Sequence, residues 1–267
     1  MTKFFRPSFV ALALFAGTLN ANAVQAAETR LQAKYTISYL GLSVGKMKNS
    51  LRVDETKYSL VGTMKTNAVV AIVANAKAQY SAHGSFRGGK PVPSAQKINF
   101  RQKKKSGFVK IGFTNGNVVD RSVKPKIKYK RGTAELQDSH LKKVIDPISA
   151  LVFPVAAGQA GNGKSVCNRT LPIFDGKNRM NLKFTYKSKA VRSADGFKGE
   201  VFTCAIRYQP IAGMRLGGKT TRFMKANRQL EISLARVGQT NVYALFSFRV
   251  KTRRGTASGK AYSFKAS

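Results

Sequence analysis

The sequence contains no tryptophan, two cysteines, two histidines and only 11 acidic residues among 267. Two histidines are too few to build a metal cluster once the cysteines are paired with each other. The acidic residues stand singly, and the nearest pair, Asp54 and Glu55, would point to opposite faces of a strand, which disfavours paired-carboxylate catalysis. Asp138, Ser139 and His140 include the residue types of a catalytic triad, but as neighbours rather than as separate segments that meet in space. These shortages predict a protein that is not an enzyme and that holds no metal and no cofactor.

A long hydrophobic run is also missing, because no apolar stretch reaches the roughly 20 residues that a membrane-spanning helix requires. The run Phe9–Gly17 follows Lys3 and Arg6, and small residues suited to signal-peptidase cleavage come after it. This order predicts a signal peptide over residues 1–23, with cleavage after Ala26 as the alternative. An uncleaved anchor is the other interpretation of the same run. We therefore expect export to the periplasm of a Gram-negative bacterium.

The two cysteines, Cys167 and Cys204, would then enter an oxidising compartment, where an isolated pair usually forms a disulfide. That bond would close a loop of about 38 residues and stabilise the fold by up to about 4 kcal/mol. Redox enzymes place their cysteines close together as Cys-x-x-Cys, so reactive or regulatory thiols are the less favoured alternative.

Residues 24–267 are enough for one large domain, and their short alternating apolar and polar runs are typical of a sheet protein. The clearest hairpin has Val109–Phe113 followed by the turn residues Asn115-Gly116 and by Val118-Val119. We therefore predict an all-β fold with a single β-rich periplasmic domain. Further strands are predicted at Leu31–Tyr39, Leu51–Met64, Met180–Tyr186, Phe202–Tyr208, Leu230–Leu234 and Tyr243–Val250, and in a last run that ends at Phe264, with a turn at Asp195-Gly196.

Two short segments are predicted to be helical. Asp146 can cap a helix, Pro147 suits its first turn, and apolar residues follow. The stretch Ala68–Ala78 is small and apolar and is expected to form a short helix that covers one end of the sheet.

The stretch Gly158–Ser165 matches the phosphate-binding loop pattern Gly-x-x-x-x-Gly-Lys-Ser. Such a loop works only when a helix starts at its lysine, so that the loop amides and the amino end of the helix face the phosphates. The residues from Asn168 to Pro172 are a poor start for a helix, and no convincing acidic strand end is present to hold a metal. We therefore predict a flexible glycine-rich connector and no bound nucleotide.

Positive charge is the dominant feature of the composition, with 48 lysines and arginines and a net charge of +37, which falls to +35 once residues 1–23 are removed. Such a surface attracts polyanions and membranes, and export removes nucleic acid from the routine partners. What remains is lipopolysaccharide, anionic phospholipid, acidic glycans or an acidic protein. The alternative is adaptation of a whole proteome to acid or salt. The candidate basic surface consists of Lys103, Lys104, Lys105, Arg253 and Arg254. The alternative is that these are ordinary solvated residues of turns between strands.

Three stretches together resemble the domain of unknown function 3108 family, which are exported bacterial proteins of uncharacterised role. They are Tyr39–Gly45, Asp146–Leu151, and Cys167–Arg179 with its Phe174-Asp175-Gly176 motif. The resemblance covers roughly Ala33–Phe264 and extends distantly to β-spiral envelope-integrity proteins and half-barrel lipoprotein carriers. It implies an open or spiralling antiparallel, β-barrel-like sheet with one or two short helices, and it brings no catalytic residue with it.

These observations favour a non-enzymatic periplasmic protein that supports the cell envelope by binding a lipid, lipopolysaccharide or lipoprotein. A scaffold that binds another periplasmic protein is the alternative, and an enzyme of unfamiliar type is a third. An apolar, open concave face would favour a lipid carrier, whereas a filled core with a basic outer face would favour binding of a polyanion or a protein.

Overall fold

Antiparallel strands make up most of the computed structural model, which describes residues 28–67 and 75–267. Fourteen of them join into one sheet. The strands are β1 (Thr29–Tyr39), β2 (Leu42–Val53), β3 (Lys57–Thr66), β4 (Ala76–Arg87), β5 (Lys90–Gln102), β6 (Lys105–Thr114), β7 (Asn117–Lys124), β8 (Val152–Pro154), β9 (Arg169–Phe174), β10 (Arg179–Ala194), β11 (Phe197–Ala212), β12 (Leu230–Arg236), β13 (Val242–Thr252) and β14 (Gly255–Ala266).

The strand order is β7-β6-β5-β4-β3-β2-β1-β14-β13-β12-β11-β10-β9, and β8 pairs separately with β13. The sheet is open, because β7 and β9 stand at its two ends rather than pairing with each other. The first strand pairs with the last, so β1 and β14 lie in the middle of the sheet. This architecture confirms the prediction of an open, all-β antiparallel sheet.

The two ends of the sheet do not pair with each other, but side-chain packing and the bridging segment Val144-Ile145, whose backbone bonds to Gly116 and to β9, bring them together. The last residue of β9 is Phe174, which is fully buried in one cluster with Ile111 and Phe113 of β6. The turn that follows it carries Gly176. This glycine has a φ of +94°, and a Cβ atom there would lie 2.7 Å from Cγ1 of Val109. Only glycine fits such a position without displacing its neighbours. The sheet therefore curls until one end packs on the other.

The inner face of the curled sheet is filled by large side chains. Phe197, Phe246 and Phe264 pack with ring centroids 5.2–5.8 Å apart, and Tyr35 beside them is buried with its hydroxyl bonded to the carbonyl of Leu245. A second cluster surrounds the disulfide and contains four aromatic rings, those of Phe153, Phe184, Phe202 and Tyr243. A filled interior leaves no room for an acyl chain, so it favours binding of a polyanion or a protein on the outer face.

Two short α-helices, α1 (Gly163–Cys167) and α2 (Lys219–Ala226), and two single 3₁₀ turns, Asp138–Leu141 and Ser149–Leu151, complete the described chain. The helix predicted to follow Asp146 is therefore one 3₁₀ turn.

The expected helix over Ala68–Ala78 is wrong where it can be compared, because Ala76–Ala78 begin β4, and residues 68–74 lie outside the described residues. The connector predicted at Gly158–Ser165 is shorter than expected, because residues 158–162 lie outside any helix or strand but residues 163–165 begin α1. The side chain of Asn162 caps α1 in that stretch.

The buried side chain of Gln96 in β5 is a weak point of this core. Its residue is 2% exposed, and neither its amide nitrogen nor its amide oxygen has a hydrogen-bond partner among the described residues. A buried unpaired amide is costly, so Gln96→Met should raise the free energy of unfolding by about 1–2 kcal/mol, as measured by chemical denaturation. Gln79→Met, at an exposed position of β4, is the matched control and should change little. A less stable Gln96→Met variant would contradict this account.

Candidate functional site

Four cations stand directly opposite one another on the outer face of the sheet. Lys46 of β2 pairs with Lys65 of β3, Lys65 with Lys77 of β4, and Lys77 with Arg101 of β5. Residues in such register lie side by side on one face of a sheet, and like charges in these positions repel each other. The row therefore costs stability unless an anion neutralises it.

A second row runs parallel to the first and completes a groove. It contains Lys48, Thr63, Gln79, Asn99, Phe108 and Lys124, each opposite the next. Together the rows line a groove of about 660 Å³, which we call the basic groove. Of the 15 described residues that line it, six are cationic and none is acidic. The cations are Lys46, Lys48, Lys65, Lys77, Arg101 and Lys124.

Alternation along the strands explains why these lysines face outward. Met47 and Leu51 of β2 and Tyr80 of β4 are buried in the core, so the residues between them must point away from it. The ion pairs among the described residues involve other cations, such as Lys187 with Glu231 and Lys189 with Glu200. The charge of the basic groove is therefore not neutralised by any carboxylate in the described part of the chain.

The basic residues singled out from the sequence do not line the basic groove and are not brought together. Lys103 and Lys104 form the turn between β5 and β6, Lys105 begins β6, and Arg253 and Arg254 form the turn between β13 and β14. Both turns lie at the same end of the strands. Six strand spacings separate them, which is about 29 Å across the sheet. The groove lysines were missed because they are spread over four strands. The sequence signal that could have found them is the placement of lysines at the outward positions of alternating strands, as with Lys46 and Lys48 in β2.

The predicted disulfide between Cys167 and Cys204 is present, with both residues fully buried. It ties the carboxyl end of α1 to the middle of β11, inside the second aromatic cluster. Its sulfurs are enclosed by apolar side chains, which suits a structural bond and not a thiol-exchange site.

A polar cluster with catalytic residue types is sealed inside the core. The hydroxyl of Tyr58 donates to Oγ of Ser149 at 2.7 Å, and that hydroxyl donates to Oδ2 of Asp146. Oδ1 of Asp146 accepts the backbone N–H groups of Ile148 and Ser149 at 2.9 and 2.8 Å. Asp146 and Ser149 are 0% exposed, and burial raises the pKa of both Asp146 and Tyr58. No substrate could reach this serine, so the cluster holds the 3₁₀ turn in place.

The other sequence motifs are similarly occupied. Oδ1 of Asn162 accepts the backbone N–H groups of Lys164 and Ser165, so these loop amides are not free to bind phosphate. Nδ1 of His140 accepts the backbone N–H of Gln137 and serves its own turn. Within residues 28–67 and 75–267, no three His, Cys, Asp or Glu side chains gather into a metal site. Across the same ranges, every helix is too short or too polar to cross a bilayer.

Comparison with known proteins places the chain in a family. The family model described as "Protein of unknown function (DUF3108)" matches residues 34–260. The chain belongs to this family. No curated protein matches it. A crystal structure of a beta-barrel-like protein of domain of unknown function DUF1849, from Brucella abortus, is similar with a TM-score of 0.53. The similarity covers 92% of this chain and 100% of the other at 12% identity, so it concerns the fold alone.

The stretches that first suggested DUF3108 have structural roles in this member. In Tyr39–Gly45, Leu40 and Gly41 take positive φ to turn β1 into β2. A Cβ atom at Gly45 would lie 2.6 Å from the carbonyl oxygen of Lys65, so the glycine allows β2 and β3 to approach closely. In the Phe174-Asp175-Gly176 motif, the Asp175 carboxylate accepts the backbone N–H groups of Lys177 and Asn178. These stretches of the DUF3108 protein build the fold, and the cations of the basic groove lie outside them.

Proposed function

We propose that this protein is a non-catalytic component of the periplasm that binds the anionic surface of an envelope membrane through the basic groove. The observation that carries the proposal is the lining of the groove, with six cations and no acid among 15 residues. Phosphate-bearing lipid headgroups and lipopolysaccharide are the abundant polyanions of that compartment. A juxtaposed set of lysines attracts such a surface with about 1 kcal/mol for each lysine close to it.

The filled core supports binding on the outside. A carrier of acyl chains needs an empty apolar interior, but the inner face here is packed with aromatic side chains. The outer face of β2–β6 offers cations and short polar side chains such as Thr63, Gln79 and Asn99 instead. The ligand would therefore be held by charge, with little burial of apolar surface.

The periplasmic part of the proposal rests on the order of charged, apolar and small residues over 1–23, which lie outside the described residues. The buried disulfide supports it, because such bonds persist in oxidising compartments. In that compartment nucleic acid is not a routine partner, which leaves the envelope as the principal source of polyanions.

The test compares two triple variants that remove the same charge. Lys46→Gln/Lys65→Gln/Lys77→Gln should weaken binding to vesicles containing anionic phospholipid by roughly 100-fold, whereas Lys183→Gln/Lys198→Gln/Lys219→Gln should weaken it much less. Co-sedimentation with anionic and neutral vesicles measures both. Wild-type binding should fall steeply as salt rises, because exposed charges are screened beyond about 8 Å at physiological ionic strength.

Equal losses in the two triple variants would show that total charge, and not the basic groove, attracts the membrane. Absence of binding to anionic vesicles at low salt would refute the proposal. In that case the protein scaffold becomes the better candidate, because β7 has a strand partner on one side only and exposes Val119 on that edge strand. Such an edge can accept a strand from another protein.

A further inference from the structure

A second cleft, separate from the basic groove, has the chemistry of an anion site. It has a volume of about 630 Å³ and lies between the β4–β5 turn, the β6–β7 turn, α1 and β9. Four cations line it, and none of its 21 described lining residues is acidic. The cations are Arg87, Lys90, Lys143 and Arg169. We call it the Arg169 cleft; it shares no lining residue with the basic groove.

Arg169, the first residue of β9, is the most deeply placed of these cations. Its Nη1 donates to the carbonyl of Pro154 at 2.9 Å and more weakly to that of Gly89 at 3.5 Å, and its Nη2 donates to the carbonyl of Ser165 at 2.8 Å. The guanidinium lies 5.5 Å from the ring centroid of Phe153. These contacts fix the side chain in one orientation at the floor of the cleft.

The contacts leave Arg169 with an uncompensated charge. A guanidinium has five N–H donors, so two have no acceptor among the described residues. Burial lowers the pKa of Arg169 to about 10, but the group remains a cation at neutral pH. No carboxylate of the described residues forms an ion pair with it. A partly buried cation without a counter-charge favours binding of an anion.

We propose that the Arg169 cleft binds one phosphate group, either of a lipid headgroup or of a free phosphate. Four cations with no acid suit an oxyanion that carries more than one negative charge, and a fixed guanidinium with two free donors matches the oxygen atoms of a phosphate. Apolar walls formed by Pro91, Val92 and Leu171 offer a place for the carbon chain next to the phosphate. The proposal goes beyond membrane attraction by the basic groove and stands without it.

The cleft also gives a role to part of the stretch that resembles a phosphate-binding loop. Gln159 and Ser165 line the cleft, and the Ser165 carbonyl orients Arg169. Lys164, which would contact the phosphates of a nucleotide, is not among the lining residues. The anion would thus be recognised by Arg169 and the lysines of the rim, and not by the loop amides.

The test uses calorimetric titration of the purified chain with inorganic phosphate and, separately, with monomeric dihexanoyl phosphatidic acid. Because Arg169 braces three carbonyls, replacing it endangers folding, so the informative variant is Lys90→Gln/Lys143→Gln at the rim. That variant should weaken saturable, one-to-one binding of either probe by roughly tenfold. The groove variant Lys46→Gln/Lys65→Gln/Lys77→Gln should retain it, which separates this site from the proposed membrane surface.

Tighter binding of the lipid than of phosphate would support a lipid headgroup as the ligand, and equal binding would support the phosphate site with a free phosphate as its ligand. Absence of saturable binding of both probes would overturn the proposal. Binding that is unchanged in the rim variant but lost in the groove variant would overturn it as well, because the anion would then lie in the basic groove.

Discussion

Replacing both Cys167 and Cys204 with alanine is expected to lower the free energy of unfolding by up to about 4 kcal/mol, because the bond closes a loop of about 38 residues in the unfolded chain. The sequence separation of the two cysteines is 37, and their fully buried bond joins α1 to β11. For a chain of this size, a loss of that magnitude corresponds to a fall in melting temperature of roughly 8–16 °C. Calorimetry of the oxidised wild type and the double variant measures it.

Reduced wild-type protein is the control, since reduction removes the bond without removing the sulfur atoms. It should melt close to the double variant and well below the oxidised protein. Labelling of denatured, unreduced protein with a thiol reagent should add nothing to the chain. Two labels on each chain, or a melting temperature indifferent to reduction, would contradict the assignment.

Asp146→Ala should lower the free energy of unfolding by about 3–5 kcal/mol, since it leaves two buried backbone N–H groups and the Ser149 hydroxyl without their acceptor. The matched control is Asp54→Ala. Oδ1 of Asp54 also accepts two backbone N–H groups, those of Thr56 and Lys57, but the site is exposed and water can replace it. The control should lose about 1 kcal/mol or less. Chemical denaturation of the two variants compares aspartate-to-backbone hydrogen bonds in the core with equivalent bonds at the surface.

The contribution of Asp146 to folding stability should depend on pH in a defined direction. Burial raises the pKa of Asp146 in the folded protein above its value in the unfolded chain. The folded state therefore binds the proton more tightly, and this contribution to stability is present at low pH and is lost as pH rises through the folded pKa. Relative to Asp146→Asn, the wild type should become less stable from about pH 4 upward. A difference independent of pH, or losses as large in Asp54→Ala as in Asp146→Ala, would contradict the buried role.

Local signals in the sequence located several strands and turns, but the single strand predicted over Leu51–Met64 is wrong, because it spans the turn between β2 and β3. Asn115 and Gly116 take the positive φ values that a tight hairpin turn requires, and the alternation from Leu31 to Tyr39 corresponds to β1. The helices were harder, because α1 has five residues and depends on the cap at Asn162 and on the disulfide that follows. Periodicity cannot identify an element that is barely longer than one turn.

The candidate sites depended on pairing that no local pattern contains. Lys46, Lys65, Lys77 and Arg101 are separated by 12 to 24 residues along the chain and become neighbours only through strand register. The filled interior was equally hidden, since alternation gives each strand one apolar face whether the sheet curls around a cavity or onto itself. Arg169 was missed because its uncompensated charge depends on which carbonyls, and which acids, surround it in space.

The pairing of β1 with β14 affects how the chain can fold. The meander from β1 to β7 uses neighbouring segments and can form early, but its β1 edge stays open until β14, the last strand of the chain, reaches it. Contacts of such long sequence separation are slow to form, and an open edge strand invites pairing with other molecules while it waits. Protection of the β1 edge therefore comes only when β14 docks.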